Sequence, residues 1–180
     1  MKLVREVIII FGKTGSGKSY FAKNLLKKYN RVIIIDSQFE YNDGIVFENY
    51  LDLANYYLEN LPDDFKFICR FSNDNDIEYL FKFVYDAKNL LLVCEEAEIY
   101  ISPDARQGNF LRLVRYGRHS QISLLLVARR SSELSLHVRA QVTRLISFKQ
   151  TDINDIKKME SLGLFGLENL PEYHFKEITP

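Results

Sequence analysis

Eight consecutive residues of the 180-residue chain, Gly12-Lys13-Thr14-Gly15-Ser16-Gly17-Lys18-Ser19, satisfy the spacing G-x-x-x-x-G-K-[ST]. Glycines let such a segment wrap an anion closely, and its backbone N–H groups converge with the first turn of a following helix on the same point. In this arrangement Lys18 neutralises the β- and γ-phosphate oxygens of ATP, Ser19 offers its hydroxyl to Mg²⁺, and the backbone from Gly12 to Tyr20 forms the cradle. Farther along, an apolar run Leu90-Leu91-Leu92-Val93-Cys94 ends in Glu95-Glu96. Carboxylates at the C-terminal end of a strand face the ligand crevice of an open parallel sheet. Glu95 is then placed to hold the Mg²⁺ through its water shell, and Glu96 to orient or deprotonate an attacking water. A kinase has its second substrate supply the hydroxyl, whereas hydrolysis needs the enzyme to position water. The second glutamate therefore favours hydrolysis.

These residues need a scaffold, and the rest of the sequence describes one. Short β-branched runs at Leu3 to Phe11, Arg31 to Asp36, Phe65 to Phe71, Leu90 to Cys94, Ile122 to Ala128 and Leu145 to Phe148 alternate with segments of helical period. Several runs are apolar on both faces, as strands covered by helices on each side must be. The class is α/β with a mainly parallel sheet. Ile77, Leu80, Phe81 and Val84 form one helical stripe, and Leu51, Ala54, Leu58 and Leu61 a second. A third helix starts at Ser19, lines one face with Phe21, Leu25 and Tyr29, and ends near Asn30. There is no internal repeat and no linker, so residues 1–180 are expected to form one domain.

Composition sets further bounds. With 24 basic and 24 acidic side chains the net charge is zero, which excludes a generally basic nucleic-acid coat. The zero is a cancellation. Residues 1–35 hold eight basic and one acidic side chain, 36–100 four and fifteen, 104–150 nine and two, and 151–180 three and six. Positive charge thus gathers where ATP, a neighbouring subunit's γ-phosphate or DNA would be met. The apolar runs fall far short of the ~20 residues needed to span a bilayer, so no membrane insertion is expected. Cys69 and Cys94 lie inside strand-like runs, and His119, His137 and His174 pair with neither at metal-ligand spacing. A reduced, cytoplasmic setting without structural zinc is expected.

With these residues in place, the chain resembles the HerA/FtsK superfamily of ring-forming, DNA-pumping ATPases from about Val7 to its end. Asp36-Ser37-Gln38-Phe39-Glu40-Tyr41 is similar to that family's acidic second strand with its Glu-Tyr pair, and Glu95-Glu96-Ala97-Glu98 to its Asp-Glu-Ala-His segment. Glutamate stands for the metal-binding aspartate, and Glu98 for the histidine. Arg129-Arg130-Ser131-Ser132-Glu133-Leu134 is similar to a Thr-Gln-Arg-Pro-Ser-Asp/Glu-Leu ending, with Arg129 at the position of a γ-phosphate-sensing glutamine. The run from Asp152 to Leu170-Pro171 is similar to the closing helix and turn.

The resemblance implies a three-layer P-loop NTPase of the RecA-like (ASCE) type, ATP and Mg²⁺ as cofactors, and a homo-oligomeric, hexameric ring on double-stranded DNA. Each site in such a ring is completed by a neighbour's arginine, for which Arg118 and Arg115 are the candidates. Together with Arg112 they recur every third residue, as a basic face of a helix also does. The size is that of a bare motor, most similar to compact genome-packaging ATPases of membrane-containing double-stranded DNA viruses. That form implies a capsid portal-vertex partner and a place in the host cytoplasm or the virion. Alternative roles are a plasmid or mobile-element translocase, a filamentous-phage-type assembly ATPase, a small-molecule kinase, or a binding module with little turnover. Tyr50, Tyr56 and Tyr57 could stack on bases, but at helical spacing beside apolar stripes they read as packing residues.

Overall fold

The computed structural model describes residues 4–102, 108–132 and 134–180. Leu3 and Glu133, named above, lie outside them. Eight strands form one sheet: β1 (Val7–Phe11), β2 (Arg31–Ile35), β3 (Ile45–Phe47), β4 (Phe65–Cys69), β5 (Leu90–Cys94), β6 (Ile122–Ala128), β7 (Arg144–Phe148) and β8 (Phe175–Ile178). Their spatial order is β3-β4-β2-β5-β6-β1-β7-β8, and only the β7–β8 pair is antiparallel. The helices are α1 (Lys18–Leu26), α2 (Tyr50–Asn60), α3 (Asp74–Ala87), α4 (Glu98–Ile101), α5 (Gly108–Tyr116), α6 (Leu136–Arg139) and α7 (Ile153–Glu160).

The alternation of each strand sorts its side chains between two cores. Ile8 and Ile10 of β1 pack with Val32, Ile34, Leu125 and Val127 beneath Ala22, Leu25 and Leu26 of α1. Val7, Ile9 and Phe11 point the other way, into a larger core closed by Leu53 of α2, Leu80 and Phe81 of α3, and Phe110 and Leu113 of α5. The result is the expected three-layer, P-loop-type architecture. The stripe Ile77, Leu80, Phe81, Val84 is buried in full. Asn73 starts that helix, its side chain accepting from the Asn75 N–H, with Asp74 and Asp76 in the first turn where the helix dipole favours them.

Two expectations are corrected. Leu51, Leu58 and Leu61 do not face the core; all three are about two-thirds exposed. The buried face of α2 is turned to Leu53, with Tyr56 and Tyr57 half-buried against the core. Tyr57 meets Phe83 edge-on at 4.9 Å and Tyr56 meets Phe67 at 5.8 Å, so these two tyrosines pack as aromatic core residues. Helix α1 ends at Leu26, short of Asn30. Strands β3 and β8 are additions: β3 shows two exposed residues out of three and β8 no buried one, so neither has the apolar pattern of the central strands.

Candidate functional site

Strand β1 delivers the loop Gly12–Gly17, and α1 starts at Lys18. A Cβ at Gly12 would lie 2.6 Å from Ser16 Oγ and 2.8 Å from Phe148 Cβ, so only glycine lets the loop leave the strand here. Gly17 has φ 101°, the left-handed conformation glycine adopts freely. No side chain caps α1 and no acid lies in its first turn, which leaves its N-terminal N–H groups and positive dipole end for an anion. Lys18 is buried, and its Nζ donates to the Lys13 carbonyl oxygen at 3.0 Å, bridging the loop. Burial lowers its pKa despite the opposing charge of Glu95 and Glu98.

Opposite the loop, a cleft of about 340 Å³ is lined by Lys18, Ser19, Tyr20, Glu95, Glu96 and Arg129, among others. Glu95, only 5% exposed, accepts a hydrogen bond from the Tyr41 hydroxyl at 2.6 Å. Burial pushes its carboxyl up to about 7; the Tyr41 bond and Lys18 oppose the rise, and Glu40 and Asp36 add to it. Glu96 sits at φ 49°, and its carboxylate reaches Arg129 Nη2 at 2.8 Å while accepting from Ser37 Oγ at 3.3 Å. Arg129 also donates its backbone N–H to Glu98 Oε1 and holds its Nε 3.8 Å from the same oxygen. Arg129 and Glu96, the residues expected to contact the γ-phosphate and to orient water, are thus paired with each other.

Mg²⁺ takes oxygen ligands and keeps several waters, usually sharing its shell with substrate phosphates. Ser19 and Glu95, an alcohol and a carboxylate lining one cleft, fit that demand. Among the described residues no cluster of three or more His, Cys, Asp or Glu could form an all-protein cage, so phosphate and water would complete the shell. The Tyr41 hydroxyl occupies one carboxylate oxygen of Glu95, Oε1.

The structure brings the loop, Glu95, Glu96 and Arg129 together and leaves Arg115 and Arg118 outside this subunit's cleft. Helix α5 ends at Tyr116, so the arginine stripe stops before Arg118. The turn that follows is forced at Gly117, where a Cβ would collide with the Leu113 carbonyl oxygen. Arg118 instead lines a hollow with Arg5, Gln121 and Thr143, beside the N-terminal ends of β1, β6 and β7. Arg115 lies on the exposed side of α5, 3.4 Å from His137 Nδ1, and Arg112 stacks 4.3 Å over Tyr85.

Several site residues were not assigned a role from sequence. The buried Asp36 accepts from the Glu40 and Tyr41 N–H groups and from Arg70, folding the turn after β2 so that Gln38 and Glu40 line the cleft and Tyr41 reaches Glu95. Their signal was the acidic Glu-Tyr turn, but its nearness to Glu95 depends on β2 lying beside β5, with Ile35 opposite Cys94. A second support is Asp155 of α7, 3% exposed, whose Oδ1 accepts from the N–H groups of Ser131 and Ser132, both at 2.8 Å, and from Ser131 Oγ at 3.1 Å. It clamps the loop that carries Arg129.

No curated protein sequence matches the chain. Among solved structures, the genome packaging NTPase B204 of Sulfolobus turreted icosahedral virus 2, in complex with AMPPCP, is similar with TM-score 0.78 and 19% identity, over 98% of this chain and 93% of that one. VirB4 of Thermoanaerobacter pseudethanolicus gives 0.59 and 16%, over 92% and 81%. The pCW3 conjugation coupling protein TcpA gives 0.54 and 18%, over 89% of this chain and 52% of that one. At these identities the likeness shows the fold. The family model described as "Helicase HerA, central domain" matches residues 1–101. With more than half of its length matched by that model, the chain belongs to the HerA central-domain family of ATPases.

Proposed function

We propose that this ATPase drives double-stranded DNA by hydrolysing ATP, and that its task is to package a viral genome into a preformed capsid. The carrying observation is the pair of glutamates across the cleft from the phosphate loop, one buried beside Lys18 and the other held by Arg129. That arrangement suits hydrolysis, because a water must be positioned by the enzyme itself. In this reading Lys18 and the loop hold the phosphates, and Ser19 and Glu95 hold Mg²⁺, which neutralises charge on the phosphoryl oxygens when bound. Glu96 orients the attacking water. Arg129 passes from Glu96 to the γ-phosphate, freeing the carboxylate for that water. Arg118 or Arg115 would serve a neighbouring subunit's site, since neither reaches its own.

The packaging role is supported by the B204 likeness over nearly the whole of both chains. A hexameric ring, possession of a single motor domain, a portal-vertex partner and residence in host cytoplasm or virion belong to the same proposal. The likeness to a conjugation coupling protein supports a plasmid or mobile-element translocase as the second reading. Among the described residues no helix is long and apolar enough to cross a membrane.

ATP turnover with and without duplex DNA, alongside the oligomeric state with a nonhydrolysable analogue, tests the proposal. Turnover should rise with DNA and the stimulation should fall as salt increases, because phosphate contacts release counterions. Turnover indifferent to duplex DNA at every salt concentration would remove the translocase reading.

A further inference from the structure

Arg129 exchanges one partner for another only if its guanidinium is aimed at the second. Its side chain is 55% exposed, and a long, exposed side chain loses much rotamer freedom when it is pinned on a ligand. Glu98 is placed to do the aiming. Strands β5 and β6 run parallel with Cys94 beside Leu126, and the Ala97 N–H donates to the Val127 carbonyl oxygen at 2.8 Å. Glu98, the first residue of α4, is thereby set against the end of β6 with only 15% of its side chain exposed. Its charge also raises the pKa of Lys18 against the effect of burial, which places the carboxylate near the phosphate end of the cleft.

The two oxygens of this carboxylate are used unequally. Oε1 accepts the Arg129 backbone N–H, an anchor that does not depend on where the guanidinium points. Oε2 is buried and has no hydrogen-bond partner among the described residues. A buried carboxylate oxygen without a donor is costly, so a conformation that supplies one is favoured. Arg129 Nε stands 3.8 Å from Oε1, too far for a hydrogen bond, while its Nη2 is drawn to Glu96 at 2.8 Å. A guanidinium carries its five N–H donors in a fixed fork, so both Nη groups can grip phosphate oxygens while Nε–H is left for a carboxylate.

We propose that Glu98 is a positioning residue for the γ-phosphate contact: when Arg129 leaves Glu96, its Nε–H closes onto the Glu98 carboxylate, and that bond aims both Nη groups at the phosphate. Glu96 and Glu98 then divide one task, the first holding the arginine back and the second holding it forward. This inference rests on the reading of Arg129 as a γ-phosphate contact.

Titration calorimetry in the presence of Mg²⁺, comparing ADP with a nonhydrolysable ATP analogue, isolates the γ-phosphate. Glu98→Gln keeps an amide oxygen for the Arg129 N–H and removes the charge. It should weaken the analogue about fivefold, as loss of a partly screened charge-assisted hydrogen bond does, and leave ADP binding unchanged. In Arg129→Gln protein the same substitution should cost nothing further for either ligand, because the guanidinium through which it acts is gone. Unchanged analogue affinity in Glu98→Gln overturns the proposal. So does an equal loss for ADP and the analogue, or the same loss in the Arg129→Gln background, either of which makes Glu98 a support of the backbone alone. Arg129→Gln protein that binds the analogue as tightly as wild type removes the γ-phosphate role of Arg129 and this proposal with it.

Discussion

Glu95 and Glu96 are adjacent in sequence and opposite in environment. Glu96 is half-buried, ion-paired to Arg129 and bonded to Ser37, contacts that fix the direction of its carboxylate. Glu96→Gln should lower turnover by about 10²-fold or more while ATP still binds, checked by hydrolysis and by nucleotide titration. Glu95 is buried, and its carboxyl is pushed up to about 7, whereas in the unfolded chain it titrates near the ordinary ~4.3. Between these values the folded state holds the extra proton, so stability is greatest at the acid end and is lost as pH rises through that window. In metal-free protein the melting temperature should therefore carry a falling component from about pH 4.5 to 7 that Glu95→Gln removes; identical pH profiles for the two proteins would sink the assignment. The types and spacing of both acids were legible in the sequence. The raised carboxyl of Glu95 was not, because it comes from burial within the folded sheet, reinforced by Glu40 and Asp36 of the turn after β2.

At the scale of elements, α2 and α7 carry the sharpest tests. Leu58 and Leu53 lie on one helix, and periodicity alone favoured the wrong face. The two faces of α2 are nearly equally apolar, and the decision falls to Phe67 and Phe83, which accept Tyr56 and Tyr57. Leu53→Ala should cost about 2–5 kcal/mol, and Leu58→Ala less than about 0.5 kcal/mol, by denaturant unfolding. Helix α7 bears on the catalytic end through one side chain. Asp155→Ala strands two backbone N–H groups and a hydroxyl, and should destabilise by about 2 kcal/mol. It should also reduce maximal turnover more than ATP affinity, since Arg129 loses its support while the phosphate loop is untouched. Asp155→Asn retains one acceptor and should recover part of both. The central strands β1, β2, β4, β5, β6 and β7 were readable because burial on both faces demands continuous apolar runs. Strands β3 and β8 were not, being held by backbone pairing at the two edges with little apolar content.

For the whole molecule, the neutral total hides blocks of opposite sign, with 36–100 strongly acidic and 104–150 strongly basic. Surface charge of opposite sign on like subunits favours head-to-tail association, which closes into rings when the rotation permits. Sedimentation of the isolated chain should show self-association at low salt that weakens as salt is raised; salt-independent behaviour would count against charge as the organising force.

The sheet order has a bearing on synthesis. Strand β1, five fully buried apolar residues ending at the phosphate loop, precedes both of its sheet neighbours, β6 and β7, which come from residues 122–148. The emerging chain must therefore carry Val-Ile-Ile-Ile-Phe unpaired until β6 and β7 have been made, a long-range closure of the kind that slows folding and invites aggregation. A nascent chain released before β7 would leave one edge of that strand open, so the sheet that carries the phosphate loop closes around β1 only after residues 144–148 are made.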